Sequence, residues 1–152
     1  ARAIDALGQR GLLLIGNNPL PADLPTHIRA VPYARHSVVF PLGRVIVHQG
    51  GIGTTSQALR AGVPSLVMPF SHDQPDNAHR CVKLGVGRTL PRHQVSIKAL
   101  TRALSPFMGT SRSVTTAFHE QARRLKPRLL TDGADRAAAV LLQALDKTAL
   151  TF

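Results

Sequence analysis

Apolar residues fall into short continuous runs, separated by stretches with helical spacing. Residues 11–16 form one such run, closed by Gly16 and followed by Asn17-Asn18-Pro19. A run of that length ending in turn residues predicts a buried strand. Residues 28–31 predict a second, weaker strand. Residues 44–48 predict a third, rich in β-branched side chains and ending on a polar residue, His48. Residues 65–69 predict a fourth, stopped by Pro69. Between the third and fourth, residues 54–61 carry helix formers and run into the stop Gly62-Val63-Pro64. Residues 75–84 predict another helix, with Pro75 near its first turn and Gly85 just past its end. Beyond that point strand signals nearly vanish. Residues 95–104, 114–125 and 134–145 all read as helices, the last two punctuated by Asp132-Gly133.

Strands alternating with crossover helices predict an α/β fold, a Rossmann-like parallel sheet with helices on both faces. In such sheets ligands bind outside the carboxyl ends of the strands. The loops of interest therefore follow Ile15, Val31, His48 and Met68. The start of the chain is unusual: residues 1–9 read as a helix, with Ile4 and Leu7 on one side, and no strand precedes it. The first strand of a doubly wound sheet lies in the sheet interior. Without it, neighbouring strands keep unpaired backbone groups, which is costly when buried. The expectation is a fold lacking its first strand, either because the chain is truncated at its amino terminus or because another strand fills the slot.

Composition narrows the class. With 152 residues, 43% hydrophobic and 18% charged, the chain suits one soluble domain spanning 1–152 with a real core. No run of about 18 apolar residues occurs, so no membrane-spanning helix is expected. No secretory leader is expected at Ala1. The single Cys81 excludes a disulfide scaffold and fits a reducing compartment, so a cytoplasmic location is expected. Cys81 itself falls on a predicted helix and reads as a small buried apolar residue. The formal net charge is +11, and residues 88–128 hold nine Lys or Arg against one acid, Glu120. Such a surplus attracts phosphates, acidic lipid or an acidic protein face, and peripheral membrane contact is one consequence. A solvated face of Arg-rich helices is the simpler account. Nucleic acid fits poorly, because Trp is absent and Tyr33 is the only Tyr, leaving few surfaces for base stacking.

The strongest local feature is His48-Gln49-Gly50-Gly51-Ile52-Gly53-Thr54-Thr55, between the third strand and its helix. Glycines permit positive φ and close backbone approach. A helix N-terminus follows, with free N–H groups and the positive end of a dipole. Thr54 and Thr55 add hydroxyls and His48 an imidazole donor, so the segment suits a phosphate or pyrophosphate. It is not a P-loop, since no Lys follows the glycines. It is not the dinucleotide fingerprint either, since Ser56 stands where Gly or Ala is required and Asp73 is the only acid about 20 residues on. The glycines alone fit equally well a tight turn capped by threonine.

A second loop, Pro69-Phe70-Ser71-His72-Asp73-Gln74, opens at the same edge of the sheet. Asp73 and Gln74 suit sugar hydroxyls, or else cap the helix ahead of Pro75. His72, Asp76 and His79 share a helical face and form a minor metal alternative, with no Cys to join them. Phe40, Phe70, Phe107 and Phe118 read as core. His36, His93 and His119 read as surface or packing residues without partners, and His27 is uninformative.

Taken in order, the glycine loop, Ala58-Leu59-Arg60-Ala61-Gly62-Val63-Pro64, the Pro69-to-Gln74 loop and Asn77-Ala78 resemble the UDP-glycosyltransferase family, in its bacterial macrolide, glycopeptide and sterol type. The likeness runs from about residue 30 to residue 90, and residues 132–138 resemble that family's closing helix. It implies the carboxy-terminal, donor-binding half of a GT-B fold, two Rossmann-like halves facing across a cleft. On this resemblance His48 contacts the donor diphosphate, and Gly50, Gly51, Gly53, Thr54 and Thr55 cradle its oxygens. Asp73 and Gln74 bind the transferred sugar. The backbone of Val31 and the side chain of Gln57 serve the nucleoside. The implied reaction moves a hexose from a UDP- or dTDP-sugar to an acceptor hydroxyl, with inversion, without a metal and without any further cofactor. The acceptor, a small molecule or lipid, comes through the other half.

Three departures matter. Ala30 stands where plant members place a stacking Trp. Gln57 stands where many members place a Glu for the ribose, losing charge-assisted strength. The amino-terminal half, with its acceptor pocket and catalytic His, has no counterpart, so no catalytic residue is assigned and the chain alone is expected to bind donor without transfer. A non-catalytic module, a split enzyme with a separate acceptor half, and a GT-B epimerase remain alternatives. The last wants carboxylate acid and base groups, and Glu120 is the only Glu.

Overall fold

A computed structural model describes residues 1–109, 116–130 and 132–149, with side chains described as far as residue 145. The elements run α1 (Arg2–Asp5), β1 (Gly11–Leu14), β2 (Ile28–Val31), α2 (His36–Val39), β3 (Ile46–His48), α3 (Ile52–Ala61), β4 (Ser65–Val67), α4 (Gln74–Lys83), β5 (Gly87–Thr89), α5 (Ile97–Met108), α6 (Ala117–Leu125) and α7 (Gly133–Ala149). Short 3-10 turns at Phe40–Leu42, Arg92–Gln94 and Lys126–Arg128 connect them.

All strand pairs are parallel, as the alternation of strands and helices requires. They form two separate sheets, β1-β2 and β3-β4-β5. In a doubly wound order the first strand separates the second from the fourth. Here β1 and β3 are sheet edges with no described strand against their outer sides.

β4 lies at the centre of the larger sheet, and its residues Ser65, Leu66 and Val67 are all buried. Side chains alternate across a strand. Leu66 therefore enters a cluster with Leu90, Ala103, Leu104 and Phe107. Val67 enters the opposite one with Ala78, Cys81, Val86 and Ala122. Helix α5 covers one face, and α4 with α6 the other. Ile4 and Leu7 pack against the first cluster, and an ideal Cβ on Gly11 would lie 3.1 Å from Ile4 Cδ1. The amino-terminal segment thus joins the small sheet to the large one.

Several sequence expectations need correction. β5 follows the point where strand signals fade. It is only three residues long, and Gly87 sits at its start because a Cβ there would lie 2.6 Å from the Ser65 carbonyl oxygen. Two backbones approach too closely for any side chain, and the glycine hides the strand pattern. The helix expected over residues 1–9 is confined to Arg2–Asp5, because Gly8 adopts φ +61° and turns the chain away. The helix expected over 114–125 is described from Ala117, and residues 114 and 115 lie outside the described residues. Helix α7 is exposed along its described length, including Val140, Leu141, Leu142 and Leu145.

Candidate donor site

His48 ends β3 and is buried, 8% exposed. Its Nδ1 accepts the Gly50 N–H at 3.0 Å. In the neutral ring the proton must then sit on Nε2. That Nε2 is buried with no hydrogen-bond partner among the described residues. Burial, with some help from the charge of nearby His36, pushes the His48 pKa down to about 4, so the ring is a neutral donor at ordinary pH. A buried donor beside a glycine loop can serve the acceptor atom of a ligand.

The loop is built to hold that geometry. Gly50 adopts φ +95°, and a Cβ on it would lie 2.8 Å from Val67 Cγ1 and 3.1 Å from the Gln74 carbonyl oxygen. Only glycine fits. Gly51 precedes α3 without any side-chain cap, and the internal ladder begins with Thr55 N–H to the Gly51 carbonyl at 3.0 Å. The N–H groups of Ile52, Gly53 and Thr54 are therefore the open ones of the first turn. An ideal Cβ on Gly53 would meet nothing within 4 Å, so protein atoms do not require glycine there. Thr54 remains beside the opening. Thr55 does not: it is buried, and its hydroxyl donates to the Gly51 carbonyl at 3.0 Å. Neither threonine caps the helix.

The second loop lies against the first. Asn77 on α4 is buried, and its Nδ2 donates both to the Gly50 carbonyl at 2.8 Å and to Asp73 Oδ2 at 2.7 Å. Gln74 Oε1 accepts the N–H groups of Phe70 at 2.9 Å and Ser71 at 3.3 Å, which leaves its amide N–H groups for other partners. His72 takes φ +57°, with its Nδ1 2.7 Å from Ser71 Oγ. This strained turn displays Asp73 at the surface, one carboxylate oxygen fixed by Asn77. Asp73 does not cap α4 through its side chain.

Two hollows open near the carboxyl ends of the strands. One, of about 290 Å³, is lined by Tyr33, Arg35, His36, Ser37 and Gln57, and so joins the segment after Val31 to α3. The other, of about 650 Å³, lies at the carboxyl ends of β4 and β5 and includes Phe70, Pro75, Thr89 and Arg92. Phe70 is not a core residue. It is 55% exposed, and the Arg92 guanidinium carbon lies 5.1 Å from its ring centre. Phe40 and Phe107 are buried, and Phe118 packs against Phe107 at 4.7 Å between ring centres.

The metal alternative is not assembled. Asp76 pairs with Arg80 at 2.7 Å, and no cluster of three candidate ligands occurs among the described residues. No described helix is long and apolar enough to cross a membrane.

Comparison with known proteins places the chain. A family model described as the erythromycin biosynthesis protein CIII-like C-terminal domain matches residues 13–145. The chain belongs to this family. The vancomycin aglycone glucosyltransferase of Amycolatopsis orientalis is 34% identical over 147 residues, covering 95% of this chain and 34% of that protein. The solved glycotransferase of kitacinnamycin superposes with a TM-score of 0.77 at 27% identity, over 93% of this chain and 37% of that one. The glycosyltransferase VinC, solved in complex with dTDP, gives a TM-score of 0.63 at 27% identity, over 70% of this chain and 26% of that one. The fold is that of the carboxy-terminal half of GT-B glycosyltransferases. The chain spans about a third of the length of the curated relatives it matches.

In this CIII-like domain, His48 ends β3, Gly50 and Gly51 lead into α3, Gly53 and Thr54 lie in its first turn and Gln57 follows them, while Asp73 and Gln74 sit on the loop that Asn77 ties to Gly50. Val31 ends β2, two residues before Tyr33 of the smaller hollow. Sequence reasoning missed two residues beside the site and one structural contact away from it. Tyr33 follows Val31 by two residues and presents an exposed ring. Asn77 was visible only as part of a motif. His119, expected to lack a partner, donates from Nε2 to the Arg44 carbonyl at 2.8 Å and faces the Thr116 hydroxyl with Nδ1 at 2.7 Å. The spacing of Thr116 and His119 as a helix-capping pair was the available signal.

Proposed function

We propose that this chain is the donor-binding half of a glycosyltransferase that moves a hexose from a UDP- or dTDP-sugar to an acceptor hydroxyl, inverting the anomeric centre without a metal or further cofactor. The observation that carries the reading is the buried Nε2–H of His48, without a partner among the described residues and close to the uncapped start of α3.

The donor lies along the edge of the sheet. Its nucleoside occupies the Tyr33 hollow, with the base stacked on the Tyr33 ring, the Val31 backbone reading its edge and Gln57 reaching the ribose. The diphosphate rests on the first-turn N–H groups of α3 and on His48 Nε2–H, with Gly53 allowing close approach. The sugar reaches Asp73 and the Gln74 amide. In the reaction the acceptor oxygen attacks the anomeric carbon, and the bond from that carbon to the diphosphate oxygen breaks. The acceptor proton goes to a base on the other half. Negative charge grows on the leaving diphosphate, where His48 and the helix N-terminus stabilise it. Fixed donors at that point do the work a bound cation does elsewhere. This chain alone binds donor and transfers nothing.

Calorimetry of the chain with UDP and with dTDP tests the reading. Binding of at least one, weakened about tenfold or more in His48→Ala, is expected from the loss of a charge-assisted hydrogen bond. Equal affinity in both proteins, or no binding of either nucleotide by the folded chain, overturns it.

A further inference from the structure

The larger hollow has a charge character that bears on which sugar is transferred. It opens at the carboxyl ends of β4 and β5, the ligand edge of a parallel sheet, and Pro75 in its wall directly follows Gln74. Its volume of about 650 Å³ falls within the usual range for small-molecule sites. Pro69, Phe70, Pro75 and Pro91 give it an apolar wall, Thr89 and His93 add polar groups, Arg92 gives it a fixed positive charge, and no carboxylate lines it among the described residues.

We infer that this hollow receives the transferred sugar and selects neutral or carboxylate-bearing sugars against ammonium-bearing ones, an inference that rests on the donor-binding reading. A site for an amino sugar would offer the ammonium a carboxylate or an open aromatic face. Here the aromatic face is taken: the Arg92 guanidinium sits over Phe70. The neighbouring acids are engaged elsewhere. Asp76 is paired with Arg80, and one oxygen of Asp73 is held by Asn77. The other Asp73 oxygen accepts a sugar hydroxyl without neutralising a charge deeper in the hollow. A sugar ammonium in this open hollow would face the exposed Arg92 guanidinium with no lining carboxylate to offset it, and the like charges repel, most at low salt. A sugar carboxylate in the same place would gain an ion pair that Arg geometry favours.

The test is calorimetry at pH 7 on the whole chain with UDP, UDP-glucose, UDP-glucuronic acid, UDP-glucosamine and UDP-N-acetylglucosamine, and with dTDP, dTDP-glucose and dTDP-4-amino-4,6-dideoxyglucose. The amino sugars are expected to bind at least about tenfold more weakly than their neutral counterparts, with the gap shrinking at high salt. UDP-N-acetylglucosamine keeps the substituent without the charge, so it should follow UDP-glucose. In Arg92→Glu the preference between glucosamine and glucose should reverse, while affinity for UDP alone stays within about twofold. Arg92→Gln, with a thermal melt confirming the fold, should abolish the discrimination without reversing it. Amino and neutral sugars binding alike, or the acetylated sugar rejected as strongly as the free amine, overturns the selectivity while nucleotide binding leaves the donor reading standing. A folded chain that binds neither UDP nor dTDP removes both.

Discussion

The side-chain amide of Asn77 donates to the backbone carbonyl of Gly50 across 27 positions of sequence, at 2.8 Å, and ties the two ligand loops into one unit. The same nitrogen holds Asp73 at 2.7 Å, so one buried side chain sets both the glycine loop and the displayed carboxylate. Asn77→Ala leaves the Gly50 carbonyl and one Asp73 oxygen without this donor. The expected cost is about 1–3 kcal/mol in stability, read as a lower Tm, together with weaker nucleotide binding. Asn77→Asp should be worse on both counts, because it sets a carboxylate against Asp73 and against a carbonyl oxygen. A variant with unchanged Tm and affinity would show that the loops are held elsewhere.

Two glycines of the loop should behave oppositely. Gly50→Ala forces a Cβ into Val67 at a positive φ, and a stability loss of about 2 kcal/mol or more is expected. Gly53→Ala meets open space inside a helix, so stability should hold or rise by up to about 1 kcal/mol. Its nucleotide affinity should nevertheless fall, since the added methyl occupies the approach of the diphosphate. Denaturant melts paired with calorimetry separate the two effects. Unchanged affinity in Gly53→Ala would place the diphosphate elsewhere.

The buried histidines give a pH dependence of defined sign. His48 is pushed down to about 4 by burial, and His119 is lowered for the same first reason. In the unfolded chain both titrate near the ordinary histidine value of about 6.5. Between those values the unfolded chain binds more protons, so stability rises with pH there. The contribution is complete above about pH 6.5 and is lost as pH falls toward 4, by up to about 3 kcal/mol for His48. The Tm should therefore drop between pH 7.5 and pH 5, and His48→Asn should flatten that drop. A slope that persists unchanged in His48→Asn assigns it to other groups.

The two open sheet edges make a prediction for hydrogen exchange. The amides of Gly11, Ile15 and Ile46 donate inward, to the carbonyls of His27, Val31 and Pro64 at 3.2, 3.0 and 2.9 Å. Amide direction alternates along a strand. The amides of Leu12, Leu14 and Val47 therefore point to the unpaired sides of β1 and β3. They should exchange at least about tenfold faster than their neighbours in the same strands. Equal protection along β1 would mean that its outer edge is paired in solution.

The order of strands and helices was legible because alternation of short apolar runs with helical periods survives in the sequence, and the glycine loop was legible because its residue types are rare together. β5 was not, since Gly87 is demanded by the Ser65 carbonyl and carries no strand signal of its own. Phe70 was misread as core because hydrophobicity alone cannot tell a buried ring from one covered by a guanidinium. Thr55 was misread as facing the ligand because the residue type does not reveal that its hydroxyl turns back to Gly51. Tyr33 was counted only as a scarce aromatic, and its place beside Gln57 depends on how α2 and α3 pack. The role of Asn77 depends on a contact made only after the strands are side by side.

β4 has one more implication. Its Leu66 and Val67 are locked into opposite cores, Met68 N–H donates to the His48 carbonyl at 2.8 Å, and the Phe70 loop springs directly from its end. The glycine loop and the Asp73 loop are thus mounted on a common rigid bar. On the proposed donor reading the domain acts as a caliper: a linker one phosphate shorter or longer would bring its sugar out of register with Asp73.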